Sequence, residues 1–128
     1  MTPEAADYLA KAREYLNKAR SLLDVMHYSD EAARAAYLAA FHAAQALVFE
    51  RTARVAKSHS GLRTTFAPLA KDDPRIDRPF TRFLARAYKS KEITDYGIGP
   101  QAVVTAAEAQ EMIDLAMRFV DRMAEIVG

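Results

Sequence analysis

A chain of 128 residues suits one domain, and 51% hydrophobic residues are enough to give it a core. Eighteen basic against 17 acidic groups leave a formal net charge of +1, which excludes a broadly basic nucleic-acid-coating surface and leaves room only for a local basic patch. The chain has no cysteine, which excludes disulfides and thiolate metal sites, and its three histidines, spread over helix and loop, would need carboxylates to hold zinc.

No metal or cofactor is therefore expected. No apolar run reaches membrane-spanning length and the N-terminus lacks a signal-peptide pattern, so the expectation is a cytoplasmic protein away from membranes.

Thr2, Pro3 and Glu4 form a helix start: a capping hydroxyl, a proline at the first helical position and an acid at the positive end of the dipole. Tyr8, Ala12, Tyr15, Ala19, Leu22 and Met26 then recur every three or four residues and predict an amphipathic helix over 3–26. Lys11, Arg13, Glu14, Lys18 and Arg20 fall on its other face.

His27 to Asp30 is a tight connection, with Ser29 or Asp30 to cap a second helix running to about Arg54. Two apolar stripes lie side by side on that helix, Ala33-Tyr37-Phe41-Ala44-Val48 and Ala36-Ala40-Ala43-Leu47. A helix apolar over so much of its circumference is buried on several sides, and its alanines let neighbours approach closely. It leads to a polar turn, Lys57-Ser58-His59-Ser60-Gly61.

A short amphipathic helix follows over 61–71, broken by Asp72-Asp73-Pro74. Another runs from about Ile76 through Phe83 and Tyr88 to about Glu92, and a loop from Tyr96 to Pro100 closes it. Thr105 and Glu108 are spaced as a capping box, which opens a last helix ending at Val127. No strand alternation, repeat or second domain is visible. The expected fold is all-α, an up-and-down antiparallel bundle of four to five helices in one domain over 1–128.

Several blocks of this chain, taken together, resemble the HEPN domain family, small prokaryotic helical proteins often encoded beside a minimal nucleotidyltransferase. They are Ala36-Tyr37 followed by Phe41-His42-Ala43-Ala44-Gln45-Ala46-Leu47, then Lys57-Ser58-His59-Ser60-Gly61, then Lys91 to Asp95-Tyr96 where the family has Arg-x-x-x-Asp-Tyr, then a closing amphipathic helix. The resemblance covers about residues 5–127. It implies a homodimer and, in active members, a metal-independent ribonuclease site built from an Arg and a His about four to six residues apart. Arg would grip phosphate bidentately and His would move a proton of the ribose hydroxyl. This chain departs from that pattern. Lys91 replaces the Arg, keeping the charge and losing the planar fork, and no His follows at the usual place. Arg54 and His59 have four residues between them, but at the end of the second helix.

The candidate residues each carry two readings. His42 is either a hydrogen-bonded core histidine or, oriented by Asp95, part of an inner cleft with Tyr37, Gln45 and Tyr96. Lys91, Asp95 and His42 are then the catalytic candidates. Ser58 or Ser60 caps a helix, or Lys57, His59, Ser60 and Arg63 form a phosphate or nucleotide site with Tyr96. Arg86, Lys89 and Lys91 interleaved with Tyr88 and Tyr96 suit single-stranded RNA, or form a solvated helix end with Asp95 paired to Lys91.

The expected function is a HEPN-like nucleotide- or RNA-binding protein, the toxin-like partner of a minimal nucleotidyltransferase, with a degraded ribonuclease motif. The alternative is a non-catalytic dimerising scaffold or partner-binding module. An apolar surplus at Phe83, Tyr88 and Met112 points to a homodimer.

Overall fold

The structure, a computed structural model, describes residues 1–99 and 103–128. Five helices follow one another: α1 (Pro3–Asp24), α2 (Ser29–Thr52), α3 (His59–Asp72), α4 (Arg78–Tyr96) and α5 (Ala106–Val127). The described residues contain no strand, and no helix among them is long and apolar enough to cross a membrane.

Cross-links between helices fix their directions. The backbone N–H of Thr2 at the start of α1 donates to the Glu50 carboxylate near the end of α2, at 2.8 Å. Arg13 pairs with Asp121 and Arg20 lies against Met117, so α1 and α5 run oppositely. Arg34 meets Asp95 and Tyr37 meets Tyr88, so α2 and α4 also run oppositely. The four long helices α1, α2, α4 and α5 thus alternate up and down. Between α2 and α3 the chain turns back along α2. Ala53 adopts the left-handed conformation at φ 57°, Ala56 reaches the level of Gln45, and His59 reaches Tyr37. The turn therefore lies beside the middle of α2 rather than beyond its end.

The double apolar stripe explains the centre. α2 packs against α1, α3, α4 and α5, and Ala36, Ala40, Ala43, Ala44 and Ala46 are fully buried. On α1 the buried seam is Ala5, Leu9, Ala12, Leu16, Ala19 and Leu23. Ala12 and Ala19 of the expected stripe belong to this seam, whereas its Tyr8, Tyr15 and Leu22 flank the seam and are only half-buried. Both sets obey helical spacing, and the smaller and purely aliphatic side chains take the inside. α1 ends two residues earlier than expected, leaving Met26 half-exposed beyond it.

Thr2, Ser58 and Thr105 accept from the third backbone N–H of their helices, as caps do. Glu108 accepts the Thr105 hydroxyl at 3.0 Å, which ties the two residues of the expected box together. Asp30 does not cap α2; its carboxylate accepts the Val104 N–H at 2.9 Å and pins the entry to α5. Asp73 holds Arg75 with two oxygens, which lowers its carboxyl to about 2. α4 starts two residues later than expected and runs on to Tyr96, so Asp95 and Tyr96 lie on a helix rather than at the mouth of a loop. The expected loop end at Pro100 lies outside the described residues.

Phe66, Phe80 and Phe83 converge on the fully buried Phe119, with ring centroids 5.8–6.0 Å away. Phe83 and Met112 are consumed inside this single chain. They are not a surplus for a dimer, because α3 and α4 form a second layer that a narrow bundle seam would not need.

Candidate functional site

The back-running segment decides where the polar residues go. His59 opens α3 directly beside Tyr37 and Phe41 of α2 and Tyr88 of α4. Its ring centroid lies 5.4 Å from Tyr37 and 5.0 Å from Phe41 and Tyr88. Its Nδ1 sits 2.5 Å from the Tyr37 hydroxyl. One turn further along α3, the Arg63 guanidinium stacks 4.9 Å over the Tyr88 ring. On α4, Lys91 binds Asp95 at 2.7 Å, and Asp95 also accepts from Arg34 of α2 at 3.0 Å. Lys91 lies 5.9 Å from the Tyr96 ring, which is 74% exposed.

The electrostatics follow from these contacts. Burial lowers the His59 pKa, and Lys91 and Arg63 lower it further against the opposite pull of Glu92 and Asp95. His59 is thus neutral at pH 7. Burial and the neighbouring Tyr88 push the Tyr37 phenol well above its usual range, so it keeps its proton. That buried O–H has no other acceptor among the described residues, so it donates to Nδ1 and leaves the proton of His59 on Nε2. His59 then presents a hydrogen-bond donor outward. The Asp95 contact raises Lys91, and Asp95 is lowered by Lys91 and Arg34. Arg34, Lys91 and Arg63 set against Asp95 and Glu92 leave the cluster one net positive charge.

His42 stands elsewhere. Five positions along a helix turn a side chain by about 140°, so His42 leaves the face shared by Tyr37 and Phe41. It stacks on Tyr15 of α1 at 5.4 Å and bonds Gln45 at 2.7 Å. The expected His42–Asp95 pair does not form, because the two residues occupy different flanks of α2 and Asp95 is engaged by two cations. His42 is accordingly not grouped with Lys91 and Asp95. Lys57 and Arg54 line a separate concavity at the α2–α3 connection, with Ser58, Gly61 and Thr65. The charged neighbours that shift His59 are Lys91, Glu92, Arg63 and Asp95, with Lys57 and Arg54 not among them. Ser60 is exposed on the first turn of α3, and Ser58 supplies the cap. No group of three or more His, Asp or Glu among the described residues is placed to hold a metal.

The residues brought together are therefore His59, Arg63, Lys91, Asp95 and Tyr96, joined by Arg34, Phe41, Glu92 and the two buried-edge tyrosines. Arg34 was not expected there. The sequence signal was its spacing, since Arg34, Tyr37 and Phe41 share one helical face.

The neutral histidines also set the acid response. An unfolded chain takes up protons near pH 6.5 on His42 and His59, whereas the folded chain does so only at lower pH. The unfolded state then binds more protons, so stability falls as pH drops from 7 through 6.5 toward the folded values. Urea midpoints measured between pH 7 and 5 should decline, with a shallower slope in His59→Gln. A midpoint rising over that interval would contradict the buried neutral state.

These features define a class: a small all-α bundle with one cationic, aromatic-walled cluster where its second, third and fourth helices meet. Residues 5–127 match the HEPN domain family, and the chain belongs to it. It is 31% identical over 112 residues to "Putative toxin MJ0605" of Methanocaldococcus jannaschii, covering 88% of this chain and 80% of that protein. It is 29% identical over 128 residues to the UPF0332 protein glr0978 of Gloeobacter violaceus, covering 100% of this chain and 99% of that protein. The crystal structure of TT1696 from Thermus thermophilus has the same fold, with a TM-score of 0.79, 29% identity and coverage of 97% and 98% of the two chains.

Proposed function

We propose that this chain is a toxin-like HEPN protein that binds RNA at the α2–α3–α4 junction, with a minimal nucleotidyltransferase as its antitoxin partner and a second copy of itself completing a homodimer. The carrying observation is the convergence of Arg63, Lys91 and the His59 ring on the Tyr88 and Tyr96 faces. Cations and rings placed in this way suit a nucleotide's phosphate and base together. The name of the Methanocaldococcus jannaschii relative supports the toxin-like part of the reading. A small nucleotidyltransferase encoded next to this chain, binding it on coexpression, would support the partner.

Binding is favoured over ribonuclease chemistry by the state of His59. A neutral ring with its proton on Nε2 donates to a phosphate oxygen but cannot take a proton from a ribose hydroxyl. Lys91 is committed to Asp95, which leaves Arg63 as the freer cation. A scaffold reading is kept open by that same Lys91–Asp95–Arg34 link, which ties α4 to α2 as any structural bridge would.

Fluorescence anisotropy with a labelled single-stranded RNA separates the two, using protein whose size is fixed by sedimentation. Arg63→Ala should weaken binding by roughly tenfold, the worth of one charge-assisted contact, and reduce the salt slope by about one. Unchanged affinity in Arg63→Ala, or no binding by the wild type, would leave the scaffold reading. A stable monomer at micromolar concentration would remove the dimer.

A further inference from the structure

The opposite flank of α2 carries a second polar arrangement that the RNA-binding reading does not use. A groove of about 410 Å³ between α1 and α2 is lined by Glu4, Asp7, Tyr8, Lys11, His42 and Phe49. Its volume is that of a small-molecule site.

Hydrogen bonding fixes the proton on His42. The Ala56 carbonyl can only accept, so the Gln45 side chain presents its NH₂ group there, at 2.7 Å. Its oxygen therefore faces His42 Nδ1 at 2.7 Å, and Nδ1 must carry the hydrogen. Burial and nearby Lys11 keep the ring neutral against the pull of Gln45. Nε2 is then a bare lone pair. It has no hydrogen-bond partner among the described residues, and no side-chain nitrogen or oxygen there is both buried and unpaired, so Nε2 is not fully buried. Stacking on Tyr15 holds the ring plane. A histidine set by an outer hydrogen bond, with its other nitrogen free, is a pre-oriented acceptor.

The rest of the groove complements it. Tyr8 and Phe49 form an aromatic wall, their centroids 6.4 Å apart. None of the ion pairs among the described residues involves Glu4, Asp7 or Lys11. Two acids and a lone-pair nitrogen outweigh one cation, so the groove offers acceptors to a donor, and Lys11 opposes a second positive charge.

We propose that this groove is a second ligand site, separate from the His59 cluster, that takes a small organic monocation. The flat apolar body of the ligand lies against Tyr8 and Phe49. An amine or amidine N–H donates to His42 Nε2, and the charge faces Glu4 and Asp7.

Side-chain ¹⁵N NMR of the full chain, with benzamidine as the probe and uncharged benzamide as its control, tests this. His42 should show the Nδ1–H tautomer before any addition. Benzamidine should shift its ring resonances saturably at roughly millimolar concentration, as suits a ligand of so few atoms. Glu4→Gln and Asp7→Asn are exposed changes that leave the fold intact, and each should weaken binding about threefold, the worth of one exposed ion pair. An Nε2–H tautomer overturns the proposal. So do His42 resonances that do not move, or benzamide binding as tightly as benzamidine.

Discussion

Phe119→Ala is expected to cost about 3–5 kcal/mol of stability, as large-to-small changes at fully buried aromatic sites do. Phe119 has no exposed surface, and the rings of Phe66, Phe80 and Phe83 surround it from α3, from the start of α4 and from further along α4. Truncation removes the shared partner of three aromatic contacts at once and leaves a cavity where three helices meet. The rings are held by helix backbones, so they cannot collapse fully into the gap. Against a total stability of roughly 5–15 kcal/mol for a domain of this kind, the loss takes the protein to the edge of unfolding. Urea titration should show a much lower midpoint with the same slope. A shift worth less than about 1 kcal/mol would mean that the cluster repacks and does not hold the second layer.

Ala40→Leu is expected to cost about 1–3 kcal/mol for the opposite reason. Ala40 is fully buried on the helix that every other helix touches. A leucine there adds three carbons to a surface packed at crystal-like density. Helices must part or side chains must leave their rotamers, and because α2 is shared, a displacement on one side disturbs the others. Ala85→Leu on the exposed face of α4 makes the same chemical change in open space and should fall within about 0.5 kcal/mol of the wild type. Equal midpoints for the two variants would show that the small side chains of α2 do not set the helix spacing.

The sequence makes the helices legible because their signals are local. Thr2, Ser58 and Thr105 each sit where a hydroxyl can reach a free N–H, and the alanine-rich run of α2 can be satisfied only by neighbours on several sides. The grouping of the site was less legible. Lys91 and Asp95 are one turn apart, so their contact follows from spacing. His59 and Arg63 likewise follow from one helix. Neither the joining of these two pairs nor the exclusion of His42 follows from local pattern, because both depend on how the chain between Ala53 and Ser58 travels. A left-handed Ala53 carries no such signal as a glycine would. Once that segment runs back along α2, His59 faces Tyr37, and helical geometry alone sends His42 to the other flank. The choice of Leu9 and Leu16 over Tyr8 and Tyr15 as the α1 seam was hidden for a different reason: two adjacent stripes with equal periodicity can each be taken for the inside.

The uneven burial of the two layers has a mechanical consequence. α3 and α4 insert three buried side chains each, whereas α2 buries fourteen. Regions with few buried apolar contacts open at lower free energy than the whole domain. The α3–α4 pair is accordingly expected to act as a flap on a firmer base of α1, α2 and α5, held by the Phe119 cluster and latched by the contacts of His59 with Tyr37 and of Asp95 with Arg34. A ligand that grips Arg63 on one helix and Lys91 on the other would act as a clasp. Its binding free energy would appear as rigidity of the flap, and conditions that loosen the flap would weaken its hold.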